Sequence, residues 1–218
     1  FGSSDKRVIK FHQADEAIKI EILFCSPFAH PAVMMRTELV KNLRYDIACE
    51  KAEDYDLWER AAEAGWKMTN VQQVLLMYRV HAKQISSKAA ISQQQVSLQI
   101  QRRYWEHFSK IKQLDLRRFD EVLKIRESVE SLPNMDIVDS VLTCLIQRCD
   151  GEARDVILNQ ITRLYYLAAA DCPDIVKRWG NFFPNTGLRE TLLAKGKLWL
   201  LSRFHIRPET RLFKLFKN

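Results

Sequence analysis

The sequence predicts an α/β fold over residues 1–88 and an all-helical region over residues 89–218. Up to about residue 86, short apolar runs alternate with segments of helical spacing, as in a domain that packs helices on a sheet. Beyond Ser86-Ser87 the strand-like runs stop, and only apolar residues at helical spacing continue to the end. We therefore place the domain boundary just after this pair of serines.

The elements of the first region follow from its apolar runs and turn residues. Strands are predicted at residues 7–11, 32–35, 66–71 and 74–80. Helices are predicted at residues 14–24, 37–43 and 57–64. Thr37 is placed to cap the second helix, and Gly65 to end the third in the left-handed conformation.

The second region contains segments with helical periodicity and no strand signal. They cover residues 91–111, 119–129, 136–148, 152–170 and 186–206. The third and fourth are predicted to form an antiparallel pair joined at Asp150-Gly151. Asp171-Cys172-Pro173 breaks the pattern after the fourth.

Composition limits the classes of protein that this chain can belong to. A hydrophobic fraction of 47% over 218 residues can supply a globular core. The five cysteines are an odd number without metal-ligand spacing, which favours reduced thiols and the cytoplasm. The sequence contains no run of 18 apolar residues, so no membrane-spanning helix is predicted.

The segment from Glu53 to Trp58 is the strongest candidate for a site. Glu53, Asp54 and Asp56 open a predicted helix, where a cluster of carboxylates can hold a catalytic base. The structural alternative is that acids in a first turn interact with the helix dipole and with free backbone N–H groups. The residues of this segment alone favour that alternative.

Two flanking motifs change this balance. His30-Pro-x-Val-Met-x-Arg36 precedes the acidic segment, and Leu75-x-x-Tyr-Arg-x-His81 follows it. In this order, over about residues 1–90, the three blocks resemble the distal, acceptor-side half of family 2 glycosyltransferases. Those enzymes have the GT-A fold and transfer sugars from nucleotide donors with inversion.

The resemblance implies roles for particular residues. Asp54 falls at the position of the general base, and His81 at that of a histidine that helps to bind a divalent metal, Mn²⁺ or Mg²⁺. Glu53, beside Asp54, can raise the proton affinity of its neighbour. His30 and Trp58 are assigned to the acceptor side of the cleft. The structural alternatives are exposure of Glu53 to solvent and a hydrogen bond between His30 and the loop backbone.

Arg79 is a further candidate of this cleft. It could contact the donor phosphates as a fixed cation. The alternative is a structural ion pair with Asp54 or Asp56.

The resemblance also implies partners and an absence. The complete enzyme would use a nucleotide-sugar donor and a saccharide or lipid-linked acceptor, in the synthesis of cell-surface polysaccharide or a glycan side chain. The donor-binding half and its Asp-x-Asp metal motif have no counterpart here, because Asp54-Tyr55-Asp56 lies in the wrong block. We therefore expect a chain that lacks the donor-binding half and is inactive alone.

The last 24 residues carry seven Lys or Arg residues against one acid, Glu209, with apolar residues between them. This pattern is typical of a segment that lies on an anionic membrane, here the inner face of the cell membrane. An ordinary helix packed on the bundle is an equal alternative.

Two other classes of protein remain open. A non-catalytic helical interaction or membrane-docking module is the main rival to the enzyme. A nucleic-acid binder ranks last, because 27 acidic residues and the lack of a reading motif weigh against it.

Overall fold

The computed structural model describes residues 8–77, 87–114, 118–127, 132–186 and 192–216. The chain divides into two compact units, Phe1–Lys112 and Gln113–Asn218.

The first unit is built from helices joined by extended segments and short 3-10 turns. Its α-helices are α1 (Asp15–Ile22), α2 (Thr37–Leu43), α3 (Glu53–Glu63) and α4 (Ser87–Ile111). The 3-10 turns are His30–Ala32 and Ile47–Cys49. Helix α3 packs against α1, α2 and α4, and therefore lies at the centre of the unit.

The core of this unit forms where α4 meets the end of α1. The indole of Trp105 is fully buried and donates a hydrogen bond to the carbonyl of Leu23 at 2.9 Å. Gln101, also buried, donates to the carbonyl of Phe24 at 2.8 Å. These side chains satisfy carbonyls that the end of α1 leaves without helical partners.

The α/β prediction, including a partial GT-A sheet, is wrong: no strand occurs among the residues that the structure describes. Residues 33–36 begin and end in extended conformation, so the local preference was read correctly. A strand, however, also needs a neighbour that shares backbone hydrogen bonds. None pairs with this segment in the described part of the chain.

Residues 66–72 show the same failure in more detail. They are connected to residues 11–15, but through side chains rather than through a backbone ladder. Thr69 donates to the carbonyl of Gln13 at 2.9 Å, and Asn70 to that of His12 at 2.8 Å. The carboxylate of Asp15 accepts from the backbone N–H of Met68 at 2.9 Å. Residues 71–77 are exposed, and residues 78–80 of the predicted last strand lie outside the described residues.

The helix predictions in this unit fare better than the strand predictions. Helix α2 has the predicted bounds, and Gly65 has a φ of +77° just after α3, as predicted for its terminator. The predicted cap is wrong, because Arg36 is the N-cap of α2 and no side chain caps it.

The second unit is helical throughout the residues described. Its helices are α5 (Asp120–Lys124), α6 (Met135–Ile146), α7 (Gly151–Ala168), α8 (Ile175–Thr186) and α9 (Leu192–Arg203). The predicted pair joined at Asp150-Gly151 is confirmed, since α6 and α7 pack together across this turn. The prediction gave no helix at the position of α8, after the break predicted at Asp171-Cys172-Pro173.

Buried polar contacts hold this second unit together. Tyr165 is fully buried and donates to the carboxylate of Asp139 at 2.6 Å. Its ring meets that of Trp179 edge to face, with centroids 5.6 Å apart. Arg178 also contacts Asp139, at 3.1 Å, so α6, α7 and α8 share one polar cluster.

Along the chain, the boundary between the compact units falls between residues 112 and 113, because α4 packs on α3 and so belongs to the first unit. The predicted functional domains, residues 1–88 and 89–218, concern the extent of a family resemblance. Packing does not test them, and they remain a prediction.

Within the described residues, none of the helices is both long enough and apolar enough to cross a bilayer.

We predict that Asn134→Ala lowers the free energy of unfolding of the second unit by about 1 kcal/mol. The Asn134 side chain accepts hydrogen bonds from the N–H groups of Asp136 and Ile137 at 3.1 and 3.3 Å, and so caps α6. Urea denaturation followed by circular dichroism measures the change. Asn134→Asp keeps an acceptor and should stay near the unchanged protein; an equal loss in both variants would contradict the capping role.

Candidate functional site

The acids of α3 divide into two groups with different surroundings. Asp56 and Glu59 are fully buried, whereas Glu53 and Asp54 are half-buried in the first turn. Neither Glu53 nor Asp54 forms a hydrogen bond or ion pair with another residue that the structure describes. The same helix therefore carries both structural carboxylates and unpaired ones.

Helix geometry explains the division. Residues at i and i+3 share a face, so Asp56 and Glu59 both point toward α4. Asp54 lies two residues before Asp56, which is roughly 160° around the helix axis. It therefore cannot join the contacts that its neighbour makes with α4.

Two arginines neutralise the buried pair. Arg103 of α4 reaches Asp56 Oδ1 at 2.7 Å and Glu59 Oε1 at 3.0 Å, and also contacts Glu59 Oε2. Arg60 donates to Asp56 Oδ2 at 2.8 Å from within α3, and to the carbonyls of Leu43 and Arg44 at 2.7 Å each. Together these contacts connect α3 to α4 and to the end of α2.

The pKa values of the two buried acids move in opposite directions. Burial raises the pKa of Asp56, but hydrogen bonds from Arg60 and Arg103 outweigh burial and leave the pKa below its ordinary value. Burial also raises the pKa of Glu59, and there the opposing contacts with Arg103 do not compensate fully. Glu63 adds to the increase, because a second carboxylate disfavours the charged form.

His30 and Trp58, predicted on the acceptor side, lie together. The ring centroids are 6.1 Å apart in an edge-to-face arrangement, and His30 shares a 3.0 Å hydrogen bond with the Tyr45 hydroxyl. Trp58 is only 2% exposed, and its Nε1 has no hydrogen-bond partner among the described residues. An unpaired buried N–H is costly, so this nitrogen could donate to a bound polar molecule.

The other two predicted site residues, Arg79 and His81, lie outside the described residues. Whether they join Asp54 stays a prediction. Asp56, the alternative ion-pair partner considered for Arg79, already pairs with Arg60 and Arg103.

One group of described residues has ligand atoms close enough to hold a metal: Asp46, Cys49 and Asp56, all within 4.8 Å of one another. It does not suit Mn²⁺ or Mg²⁺, which prefer oxygen ligands over a thiol. The Asp56 carboxylate is already engaged by two guanidinium groups, which would repel a cation. Burial and the charge of Asp56 also raise the pKa of the Cys49 thiol, away from the thiolate that binds metals.

An open depression of about 390 Å³ lies at the junction of α2 and α3. Its lining residues are Leu43, Tyr45, Asp46, Ile47 and Arg60. Asp54, His30 and Trp58 are not among them, although Tyr45 connects this depression to His30 through their hydrogen bond.

Sequence reasoning missed the cluster of Asp56, Glu59 and Arg103. The pair Asp56 and Arg60 has i,i+4 spacing, and that signal was available. Arg103 had no such signal, because its partners are 44 and 47 positions away in the chain.

Comparisons with known proteins give one partial similarity. No family profile and no solved structure matches the chain. A stretch of 51 residues is similar to a glycosyltransferase at 33% identity. That relative is an uncharacterized glycosyltransferase of Methanocaldococcus jannaschii, and the match covers 23% of this chain and 18% of the relative. The chain thus matches less than a fifth of the relative's length.

We predict that Arg103→Gln lowers the free energy of unfolding of the first unit at neutral pH by about 2 kcal/mol. Loss of one partner leaves buried carboxylates uncompensated, and the 44% exposure of Arg103 reduces the usual cost of a fully buried pair. Urea denaturation at a series of pH values measures the difference. Lys110→Gln, an exposed position of α4, is the matched control.

The pH dependence gives a second check. The stabilisation from Asp56 is complete above 3.8, the ordinary pKa, and is lost as pH falls through the lowered pKa of the folded state. The cost of ionised Glu59 is complete above its raised pKa and disappears below 4.5. The effect of Arg103→Gln should therefore shrink as pH falls through the raised pKa of Glu59 toward 4.5, and shrink further as pH falls through the lowered pKa of Asp56. A difference independent of pH would mean that Arg103 acts through packing alone.

Proposed function

We propose that this chain carries the acceptor-side part of a glycosyltransferase that uses a nucleotide sugar and inverts the anomeric carbon. The observation that carries the proposal is the 51-residue similarity to a glycosyltransferase of Methanocaldococcus jannaschii. The order of the histidine, acidic and tyrosine-arginine-histidine motifs in the sequence also supports it. The proposal concerns the activity of the site and does not include an α/β fold for the described residues.

The surroundings of Asp54 support its assignment as the general base. A base must be reachable and must not be held in an ion pair, because its lone pair has to accept a proton. Asp54 is half-buried and unpaired among the described residues, at the start of a helix held by buried ion pairs on its other side. Asp56 and Glu59 cannot take this role, since arginines occupy both.

In the proposed reaction, an acceptor hydroxyl attacks the anomeric carbon of the donor sugar. The new bond joins the acceptor oxygen to that carbon, while the bond from the carbon to the phosphate oxygen breaks. The hydroxyl proton passes to the carboxylate of Asp54, and the nucleoside diphosphate leaves with the bonding electrons. Direct displacement inverts the configuration at the carbon.

Neighbouring side chains would shape the acceptor side of this site. The buried ring of Trp58 meets the half-buried ring of His30 edge to face, and Trp58 Nε1, which has no partner among the described residues, offers a donor to a sugar hydroxyl. Glu53, half-buried beside Asp54, is proposed to border the same site. Arg79 is proposed to contact the donor phosphates.

A divalent metal is part of the proposal through His81 and not through the cluster of Asp46, Cys49 and Asp56, whose chemistry does not suit Mn²⁺ or Mg²⁺. When bound, such a metal would neutralise charge on the departing diphosphate. The steps assigned above to the residues of this chain do not depend on it.

The partners that this proposal implies are a nucleotide-sugar donor and a saccharide or lipid-linked acceptor. The five cysteines are free thiols, which supports the proposed cytoplasmic location.

We predict that Asp54→Asn lowers the rate of sugar transfer by roughly a hundredfold to ten-thousandfold, because asparagine cannot accept the hydroxyl proton. The rate is measured in the complete polypeptide in which these 218 residues occur, with a panel of nucleotide sugars. Glu50→Gln removes an exposed carboxylate four positions earlier and is the matched control. Near-normal transfer by Asp54→Asn would refute the assignment of the base.

We predict that His81→Ala weakens Mn²⁺ binding by roughly tenfold or more, because a nitrogen ligand is lost. Isothermal titration of the same complete polypeptide with Mn²⁺ measures the affinity. Asp46→Asn should leave the affinity unchanged, since Asp46 belongs to the cluster that does not suit the metal. The opposite result, with Asp46→Asn weakening binding and His81→Ala having no effect, would move the metal to that cluster.

A further inference from the structure

Helix α9 is apolar on two sides. One side carries Ala194, Leu198 and Leu201, which are buried at 7%, 0% and 0% exposure in the second unit, where α9 packs on α7 and α8. At 100° per residue, Leu192 and Trp199 project from the opposite side. They are 86% and 52% exposed.

We call the exposed apolar residues of α9, together with Phe204 just beyond its end, the α9 outer face. It consists of Leu192, Leu193, Trp199 and Phe204, with Lys195 and Arg203 between them. Trp199 and Phe204 are in edge-to-face contact, with ring centroids 6.4 Å apart. The aromatic pair therefore stands as one unit on the surface.

Such a face is unusual for a helix that already packs on a core. A helix of this kind normally places polar residues opposite its buried stripe, because apolar side chains in water gain nothing from exposure. Here large apolar side chains occupy both sides. Leu212 and Leu215, 59% and 74% exposed, add to the apolar surface of the same chain end. A second apolar environment must cover the outer face if its composition has a role.

Charge identifies the kind of environment. Among residues 192–216, Glu209 is the single acid, whereas the basic residues are Lys195, Lys197, Arg203, Arg207, Arg211 and Lys214. Arg203 and Arg211 are exposed at the described surface. A surface that combines Trp and Phe with surrounding cations matches the headgroup region of an anionic bilayer, where aromatic rings insert and cations meet the lipid charges.

We propose that the α9 outer face binds peripherally to an anionic lipid bilayer, with Trp199 and Phe204 entering the interface and Arg203 and Arg211 contacting lipid headgroups. This attachment does not depend on sugar transfer. It needs no spanning helix, and helix α9 keeps its buried side on the second unit. Trp199 lies on the side of α9 away from the core, and Phe204 follows the end of the helix in contact with it, so both exposed rings can insert without disturbing the core.

The test is sedimentation of the 218-residue chain with two kinds of vesicle. One kind is phosphatidylcholine alone, and the other is phosphatidylcholine and phosphatidylglycerol in equal parts. We expect binding to the second kind that weakens as salt is added. The double variant Arg203→Gln, Arg211→Gln should bind more weakly by roughly fivefold for each arginine. Trp199→Ser with Phe204→Ser should lose roughly tenfold or more.

The matched control is Arg36→Gln with Lys41→Gln, which removes two exposed cations from the first unit and should bind like the unchanged chain. Circular dichroism confirms that each variant is folded. Trp199 reports insertion directly in a Trp66→Phe background, because Trp66 is half-buried whereas Trp58, Trp105 and Trp179 are at most 2% exposed. Brominated lipid should quench its fluorescence, and Trp199→Phe should abolish most of that quenching.

Several outcomes would overturn the proposal. Equal binding to both kinds of vesicle, or none, would exclude an anionic bilayer. Binding that the Trp199→Ser, Phe204→Ser variant retains in full would show that charge alone acts, as on any polyanion, and equal salt-sensitive affinity for heparin would indicate the same. A dimer in sedimentation velocity that this variant dissociates, without vesicle binding, would assign the outer face to a second copy of the chain.

Discussion

The guanidinium of Arg103 is the interaction on which the first unit depends most. It joins two carboxylates of α3 to α4, and those carboxylates are fully buried. Without a cation, ionised Asp56 and Glu59 would lie side by side in a medium that solvates charge poorly. Their opposite pKa shifts show that the compensation is complete for one acid and partial for the other.

This same interaction defines which acids are available for chemistry. By holding one face of α3 on α4, it orients the helix so that Asp54 lies outside the ion-pair cluster. The packing of α3 on α4 thus explains why Asp56 is paired while Asp54, two residues earlier, has no partner among the described residues. The proposed base, Asp54, therefore lies on a helix whose other side is held by buried ion pairs.

Sequence periodicity predicted most helices, because the spacing of apolar residues is a local property. The α6 and α7 pair and the left-handed Gly65 were recoverable in this way. Strand predictions failed, since residues 33–36 begin and end in extended conformation but, like residues 66–72, have no backbone ladder with another described segment. Arg103 could not be assigned from the sequence either, because a long-range ion pair leaves no periodic trace. Asp54 was reached through motif order rather than through its surroundings.

The contact between residues 11–15 and 66–72 has an evolutionary consequence. A β-ladder uses amide and carbonyl groups that every residue possesses, so it tolerates almost any substitution along its length. Here Thr69, Asn70 and Gln72 provide the donors themselves. Replacing one of these side chains removes its hydrogen bond, so the alignment of the two segments depends on the identity of each residue. Drift at these positions would loosen the contact stepwise, whereas neighbouring exposed positions could vary freely.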